Sequence, residues 1–539
     1  MIHAPLSHAP PGPRAARRLG GLFFLLALWL AWFVTPHGDI PDESGHYGYI
    51  QEIADQGTLP LLGRSTMARD IWRDVEGLQG RTRPNYIAQH PPLYYAIAAI
   101  PYRLLHAVTD RKDLLPKAPR LVSAAALGVL ICLLDLTLLE AGLTLETATA
   151  GAAAFGLIPL VPHLSSGISN DIFLTLLAAG ATLSLVRCVG GQGLRHAYVC
   201  ALWLAAAGAT KMTAWVLIAV YLTILLWELR ETGRRWVLHA LGLAAVSVST
   251  SAAWMARNAY HFGDPLHVYG SDFKQKVFDF SHQEYFATQP FVDQVFEHLY
   301  ASVGFSGYCQ TPTTVETLVH LCRGVRVMPE DLLGITVFAI LCSLALAGLL
   351  WAQVRRLGWP GPDTGAPKTV PLSLQERLRG AVGDRLQGRL AVPLCLAVAA
   401  AIAVPVALLA RDPASIPGWF RMTPLLLLLA LVPSSLLLAT GAKDPASRLM
   451  AYGALSLMLM VLLLFHMGYK SYLINGFPRG LQGRYLLPFL PLMIVSMGLA
   501  IRDSRWATPI AVMLVSAMAA LFLHTYAGLV IPFYQSVRV

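Results

Sequence analysis

Apolar segments of membrane length recur along this chain of 539 residues, and short polar turns separate most of them. A helix that crosses a hydrocarbon core of about 30 Å needs about 20 mostly apolar residues. The pattern therefore predicts an all-α polytopic membrane protein with about 13 transmembrane helices. We predict these helices near residues 19–36, 120–140, 146–163, 168–187, 196–212, 213–229, 236–256, 331–352, 389–410, 418–440, 446–468, 484–501 and 506–528.

The segment 91–106 is also apolar, but it is short for a span and is interrupted by a proline. If it crossed the membrane, the basic stretches 230–235 and 353–388 would lie on the same side as Asp42. Loops on the cytoplasmic side usually carry the excess of Lys and Arg, so such a topology would break that rule. We therefore predict that residues 91–106 form a juxtamembrane helix inside a first periplasmic loop.

This topology divides the chain into an N-terminal tail and one transmembrane domain. The first run is long for a signal peptide and lacks a small-residue cleavage site, so we predict an uncleaved first helix. The tail 1–18 is predicted to be disordered and cytoplasmic, and residues 19–530 form the transmembrane domain. The longer loops are predicted at 37–119 and 257–330 in the periplasm, and at 353–388, a basic loop, in the cytoplasm.

Composition supports the membrane class. Hydrophobic residues make up 55% of the chain and charged residues only 13%, so a soluble globule could not keep its surface wet. The 41 Lys and Arg exceed the 31 Asp and Glu, as expected when basic residues are retained in cytoplasmic loops. No patch combines basic and aromatic residues in a way that suits stacked bases. We therefore expect membrane lipids, and no nucleic acid, among the partners.

Charged side chains gather on the predicted periplasmic face. Ionisable residues at membrane depth are costly and are usually functional. Carboxylates there could act as a base or bind a metal, whereas cations could hold a phosphate. The set is therefore typical of a reaction on a phosphate-bearing lipid. Its members are Asp39, Asp42 and Glu43 after the first span, Asp171 and Lys211 at later turns, Arg257 at the start of the large loop, and Arg484 near the end.

Five short motifs follow one another on that face, between residue 20 and about residue 500. Together they resemble the ordered signature of GT-C glycosyltransferases, the users of polyprenyl-phosphate sugars that include the lipid A aminoarabinose transferases and the protein O-mannosyltransferases. Arg257-Asn258 with Gly263-Asp264-Pro265 also resembles a related, uncharacterised bacterial membrane family. The five motifs are Asp42-Glu43 with His46-Tyr47 and Gly57-Thr58-Leu59-Pro60, His90-Pro91-Pro92-Leu93-Tyr94-Tyr95, Ser169-Asn170-Asp171, Thr210-Lys211, and Gly483-Arg484-Tyr485-Leu486-Leu487-Pro488.

The resemblance implies a GT-C-like bundle in the bacterial inner membrane with its active site facing the periplasm. It implies an inverting glycosyltransferase of cell-envelope glycan biosynthesis, which moves a sugar from a polyprenyl-phosphate donor to a glycan, lipid or protein acceptor. No cofactor beyond the lipid-linked donor is required. A weak divalent-cation site at Asp42 and Asp171 is an alternative that stays open.

The same resemblance gives the charged residues roles. An acceptor hydroxyl loses its proton as it attacks, and by family position Asp42 is the general base, with Glu43 as the second catalytic carboxylate. Lys211 and Arg484 would bind the donor phosphate, since a guanidinium fork can hold two phosphate oxygens. Each residue has a structural alternative: the carboxylates could cap a helix, and the cations could anchor helix ends at the interface.

Further residues of the motifs are expected to line the substrate site. The aminoarabinose transferases carry Lys where His90 stands, and an Arg three residues after the acidic Asp, where this chain has Gly45 followed by His46. Recognition of their donor headgroup therefore does not carry over. The expected lining consists of His46, His90, Asp171, Arg257 and Tyr485.

Other functions stay open at this point. A transporter or flippase of a lipid-linked sugar would use the same charges to bind substrate or couple protons. A polymerase or ligase of lipid-linked glycans is a third possible function. No GxxxxGK[ST] motif or Gly-rich strand-to-helix turn supports nucleotide binding, which favours a lipid-linked donor. Cys309 and Cys322 share the large outer loop, and we predict that they form a disulfide.

Overall fold

The computed structural model describes residues 13–68, 84–230, 235–268, 332–357, 423–475 and 482–537, together with residues 281, 295, 299 and 300. Several predictions lie outside these residues. They are the Cys309–Cys322 disulfide, the span 389–410, most of the loops 257–330 and 353–388, and most of the tail 1–18.

The described chain is helical almost throughout. Three π-helical segments, Leu30–Val34, Glu52–Gln56 and His524–Val530, and two 3₁₀ helices, Tyr86–Gln89 and Gly483–Phe489, extend or precede the α-helices. The α-helices are α1 (Pro13–Trp29), α2 (Glu43–Gln51), α3 (Leu93–His106), α4 (Lys117–Glu140), α5 (Leu145–Gly156), α6 (Leu160–Ser165), α7 (Asn170–Val189), α8 (Leu194–Gly208), α9 (Ala214–Leu229), α10 (Trp236–Phe262), α11 (Leu332–Arg356), α12 (Thr423–Gly441), α13 (Pro445–Asn475), α14 (Leu490–Ile501), α15 (Ala507–Leu523) and α16 (Ile531–Val537).

Within the described ranges, nine helical segments are long and apolar enough to cross a membrane. This confirms a multi-pass, all-α membrane protein. The nine are Arg14–Val34, Lys117–Glu140, Asn170–Val189, Trp236–Phe262, Leu333–Arg356, Pro424–Gly441, Pro445–Ile474, Gly483–Ile501 and Ala507–Gln535.

The count of thirteen spans is not confirmed. Helices α8 and α9 form where spans were predicted, but they contain only 15 and 16 residues. The predicted span 146–163 is broken into α5 and α6, with 12 and 6 residues. Pro159 lies at this break, and a proline disfavours helical geometry in the residue before it. The segment 91–106 does form a helix, α3, which at 14 residues is shorter than a span.

Helices α1 and α4 pack closely because both carry glycine at their crossing. A Cβ added to Gly20 would lie 2.4 Å from the carbonyl oxygen of Gly128, and one added to Gly128 would lie 2.9 Å from that of Gly20. Small residues let helix backbones approach in a membrane, where packing rather than the hydrophobic effect drives association. This contact brings the C-terminal end of α1 beside the N-terminal end of α4, at the end of the bundle that carries the candidate site.

Ion pairs join the helices at the other end of the bundle. Arg187 of α7 lies 2.7 Å from Glu140 of α4, and Arg356 of α11 lies 3.1 Å from both Asp444 and Asp503. Basic residues at this end also begin or end neighbouring helices, as the cytoplasmic side of a membrane protein usually shows. They include Arg14, Arg17, Arg18, Arg195, Arg230, Arg235, Arg448, Arg502 and Arg505.

We predict that the site end faces the periplasm. In a background without native cysteines, Lys112→Cys at the site end should react with a membrane-impermeant maleimide in intact cells. Ser504→Cys at the basic end should react only after the cells are opened. Both positions are exposed, so accessibility within the protein does not limit either reaction. Labelling of Ser504→Cys alone in intact cells would reverse the orientation.

Candidate active site

Six parts of the chain meet at one end of the bundle. Helix α1 and its π-helical extension lead into the segment 35–42, and α2 follows directly. The 3₁₀ helix Tyr86–Gln89, the start of α7, the turn between α8 and α9, and the 3₁₀ helix Gly483–Phe489 complete the site. Residues that are far apart in sequence therefore face one another here.

Asp42 occupies a strained backbone conformation immediately before α2. Its φ of 67° is left-handed, and among the described residues it is the one non-glycine with positive φ. Such a conformation costs free energy and persists only where the surroundings hold it, often at functional sites. The carboxylate accepts hydrogen bonds from the Tyr86 hydroxyl and, at 2.6 Å, from Nη2 of Arg484. The left-handed backbone at Asp42 therefore directs its carboxylate toward Arg484, which lies near the C-terminus of the sequence.

Arg484 links two carboxylates, and Lys211 extends the series. The Arg484 guanidinium lies 2.6 Å from Asp42 and 3.4 Å from Asp171, while Nζ of Lys211 lies 2.5 Å from Asp171. The side chains of Arg484, Asp171 and Lys211 are at most 5% exposed, whereas that of Asp42 is 19% exposed. Asp42 is thus the member of this charged cluster that an incoming molecule can reach most easily.

Aromatic and neutral polar side chains surround the charged cluster. The Tyr485 ring lies 5.3 Å from Nζ of Lys211 and 5.5 Å from the guanidinium carbon of Arg484, within cation–π range. The Tyr95 hydroxyl accepts a hydrogen bond from Nδ2 of Asn170 at 3.0 Å and lies 2.9 Å from Nδ1 of His46. Because Asn170 donates a hydrogen bond to the Tyr95 oxygen, the Tyr95 hydroxyl can donate its own hydrogen bond to Nδ1 of His46.

Burial and the neighbouring charges set the protonation of the groups outside the spans. Burial raises the pKa of the Asp42 carboxyl, but Arg484 and Tyr86 outweigh it and hold that pKa well below its usual range. Burial lowers the pKa of His46 to about 4, although Asp42 opposes this. Burial, Lys211 and His46 hold the pKa of His90 well below its usual value. At neutral pH the carboxylate is therefore charged and both imidazoles are neutral.

Glu43 faces away from the charged cluster. Its carboxylate accepts two hydrogen bonds from Arg120 at 2.8 and 2.9 Å, one from the Gly38 amide at 2.8 Å and one from the Ile168 amide at 3.0 Å. Both Glu43 and Arg120 side chains are 0% exposed. Since both carboxylate oxygens are already bonded in the interior, this arrangement favours a structural role for Glu43.

Arg257 was predicted to line the site, but its contacts lie outside the charged cluster. Its guanidinium donates to the Pro60 carbonyl at 2.7 Å and lies over the Trp254 ring at 4.3 Å. The Trp254 indole in turn donates to the carbonyl of Gln89, the residue before His90. Arg257 thus braces the segments around the site. Apart from Glu43 and Arg257, the predicted site residues come together, and they are Asp42, His46, His90, Asp171, Lys211, Arg484 and Tyr485.

Three residues of this site carry contacts that the sequence reading did not assign. Arg120 could have been noticed as a cation within an apolar membrane span, where a charge needs a partner. Tyr95 belongs to the motif that begins at His90, but nothing in the sequence distinguishes it from Tyr94. Tyr86 lies outside every motif, and its bond to Asp42 depends on how the first loop folds back.

The described residues contain no group of three or more His, Cys, Asp or Glu that could hold a metal ion. Asp42 and Asp171 are each bonded to a cation. A divalent ion between them would therefore have to displace Arg484 or Lys211. The arrangement can instead supply a carboxylate base and two fixed cations in a site with little access to water, which suits a reaction with an anionic leaving group.

Two solved structures are similar to the chain. The crystal structure of ArnT from Cupriavidus metallidurans bound to undecaprenyl phosphate is 14% identical, with 93% of this chain and 77% of that chain covered and a TM-score of 0.34. The crystal structure of the same protein in the apo state is 13% identical over the same shares, with a TM-score of 0.35. No protein-family model matches the chain, and no curated protein does. The function of the site is therefore inferred from its own residues.

We predict that Glu43→Gln destabilises the protein, because it leaves the buried Arg120 guanidinium without its counter-ion. Breaking a buried pair in this way costs about 3–5 kcal/mol. Thermal unfolding of the purified protein should therefore show a large fall in the midpoint. Glu140→Gln is the matched control, since its pair with Arg187 is partly exposed and such pairs contribute about 0–1 kcal/mol. Equal shifts in the two variants would contradict a structural role for Glu43.

Proposed function

We propose that this protein is a GT-C-type glycosyltransferase that moves a sugar from a polyprenyl-phosphate donor to an acceptor hydroxyl, at the periplasmic face of the bacterial inner membrane. The observation that carries the proposal is the buried charged cluster in which Arg484 contacts both Asp42 and Asp171. It combines a carboxylate suited to base catalysis with cations suited to a phosphate. The same residues belong to the motifs that resemble GT-C enzymes.

Binding of the donor phosphate can begin without breaking the cluster. Two nitrogens of Arg484 face carboxylates, but Nε is buried without a hydrogen-bond partner among the described residues. Lys211 carries three donors, and its contact with Asp171 uses one. A phosphate diester can therefore accept from Arg484 Nε and from Lys211. Such charge-assisted bonds are about twice as strong as neutral ones.

Donor binding would also prepare the base. In the free protein Arg484 and Tyr86 hold the Asp42 carboxylate, and a carboxylate stabilised in this way is a weak base. A phosphate that shares Arg484 draws part of that interaction away from Asp42, whose proton affinity then rises. The base thus becomes active when the donor is in place.

The reaction then proceeds in one displacement. The acceptor oxygen attacks the anomeric carbon of the sugar while its proton passes to Asp42. The bond between the anomeric carbon and the phosphate oxygen breaks, and polyprenyl phosphate leaves. The negative charge that grows on the phosphate is stabilised by Arg484 and Lys211 in a site that largely excludes water. A single displacement inverts the anomeric carbon. Two cations serve the leaving group, so this scheme requires no divalent ion.

Glu43 has a positioning role in this scheme. With Arg120 it holds the segment that ends at Asp42, so it fixes the direction of the base and does not touch substrate. The shape of that segment depends on the pair, whereas the proton transfer depends on Asp42.

We expect Asp42→Asn to lower turnover about 10²- to 10⁴-fold, because the amide keeps the shape of the side chain but cannot accept the proton. Transfer from polyprenyl-phosphate sugars can be followed by mass spectrometry of the purified protein. Donor binding should survive in this variant, since Arg484 and Lys211 remain. Near-normal turnover would remove Asp42 from the role of base.

Donor binding without turnover in the unaltered protein, across a panel of sugars and acceptors, would favour a transporter.

We expect Arg484→Ala and Lys211→Ala each to weaken binding of polyprenyl phosphate about 10- to 100-fold, since a charged hydrogen bond contributes about 1.5–3 kcal/mol. Arg484→Lys should also bind weakly, because an ammonium cannot reproduce the guanidinium fork. Arg502→Lys at the basic end is the matched control. Unchanged affinity in a folded Arg484→Ala protein would show that the guanidinium only anchors the helix end.

A further inference from the structure

Beside the charged cluster lie polar atoms that have no hydrogen-bond partner among the described residues. They are Oδ1 of Asn170, Oε1 of Gln482 and Nδ1 of His90. The three side chains are buried, with residue exposures of 0%, 8% and 8%. Buried polar groups are nearly always hydrogen-bonded, so three unpaired atoms in one region indicate a missing partner.

The unpaired atoms come from the elements that carry the charges. Asn170 precedes Asp171 at the start of α7, and Gln482 lies two residues before Arg484. The contact of 3.4 Å between Asp171 and Arg484 joins these two elements. The amide of Leu93, three residues after His90, donates to the carbonyl of Ala209 at 2.9 Å, which joins this segment to the turn that carries Lys211. The missing partner therefore lies next to the place where the phosphate is proposed to bind.

The chemistry of the unpaired atoms resembles that of a sugar subsite. Two of them are amide oxygens, which accept hydrogen bonds, and the third is an imidazole nitrogen, which can accept or donate. Sugar hydroxyls both donate and accept. Nδ2 of Asn170 is already bonded to Tyr95, so its orientation is fixed with the oxygen left over. The geometry points to Asn170, Gln482 and His90 as the residues that bind the hydroxyl groups of the donor's sugar.

The charge of the site limits which sugars fit. Asp42 and Asp171 contribute two negative charges, and Lys211 and Arg484 contribute two positive ones, so the cluster sums to zero. The phosphate diester of the donor makes the sum −1. A sugar carboxylate would bring it to −2 beside two aspartates. Among the described residues, the remaining cations near the site are occupied: Arg120 with Glu43, and Arg257 with Pro60 and Trp254.

We therefore propose that the subsite formed by Asn170, Gln482 and His90 takes a neutral or amino sugar and rejects a uronic acid. The neutral state of His46 and His90 at neutral pH agrees with this, because neither adds a positive charge. This inference rests on the proposed function, since it assumes that the phosphate occupies Arg484 and Lys211.

The test compares lipids that differ only in the sugar. Purified protein in nanodiscs is titrated with polyprenyl methyl phosphate, a diester without a sugar, and with the polyprenyl phosphate diesters of a neutral hexose, an amino sugar and a uronic acid. The unaltered protein should bind the hexose and amino-sugar lipids more tightly than polyprenyl methyl phosphate, and the uronic-acid lipid more weakly than either. Tight binding of the uronic-acid lipid would overturn the charge argument.

Variants then assign the subsite. Asn170→Ala and Gln482→Leu should each lose about tenfold in affinity for the hexose lipid, as expected for one lost hydrogen bond with its partner left unpaired. Their affinity for polyprenyl methyl phosphate should stay unchanged, and this comparison also reports that the variant is folded. Gln192→Leu at the exposed basic end is the matched control.

The outcomes separate the two proposals. If both variants keep the full preference for the hexose lipid over polyprenyl methyl phosphate, the unpaired atoms do not bind the sugar and this inference fails alone. If the unaltered protein does not bind polyprenyl phosphate, the proposed function fails and this inference fails with it. Two variants at different elements keep the test decisive, because loss of folding in Asn170→Ala leaves Gln482→Leu to be measured.

Discussion

The buried pair between Arg120 and Glu43 is the interaction on which the site depends. Besides its two bonds to Glu43, the Arg120 guanidinium donates to the carbonyls of Ala31, Thr35 and Pro36, so the end of α1 is tied to α4 and α2 through one side chain. Two fully buried charges are costly unless every donor and acceptor is bonded, and here they are. Because the chain on both sides is fixed, Asp42 can be held in a left-handed conformation that it would not adopt in a free loop.

The charged cluster of Asp42, Arg484, Asp171 and Lys211 also depends on pairing between opposite charges. Four charges at the end of a membrane bundle would be unstable if they were isolated, and alternation of carboxylate and cation keeps the sum at zero. This balance also makes the site responsive. In the proposed reaction the phosphate shares cations that the carboxylates already hold, so it alters the environment of Asp42 directly. Recognition of the donor and control of the base would then be the same electrostatic event.

Much of this architecture could be predicted from the sequence, and the failures have physical causes. Long apolar runs identify spans well, because the membrane requires both length and internal hydrogen bonding. The span 146–163 is not confirmed as one continuous helix, because hydropathy does not register the break at Pro159. Charges at membrane depth identified Asp42, Asp171, Lys211 and Arg484, but not their pairing, since each came from a separate motif. The contact between Tyr86 and Asp42 could not be found, because it depends on the tertiary path of the first loop.

The site contains both hydrogen-bonded groups and buried groups without a hydrogen-bond partner, and their positions indicate what kind of ligand it could bind. The charged side chains are paired with one another, while the atoms without partners are mostly neutral: Oδ1 of Asn170, Oε1 of Gln482 and Nδ1 of His90. The charged atoms of the cluster without a hydrogen-bond partner are Oδ2 of Asp171 and Nε of Arg484, and Nε marks the place where an anion can add a bond without removing one. An anion joined to a neutral group rich in hydroxyls would suit Nε of Arg484 and the neutral atoms. A sugar phosphate diester has that structure, and its lipid end would leave toward the membrane that surrounds the bundle.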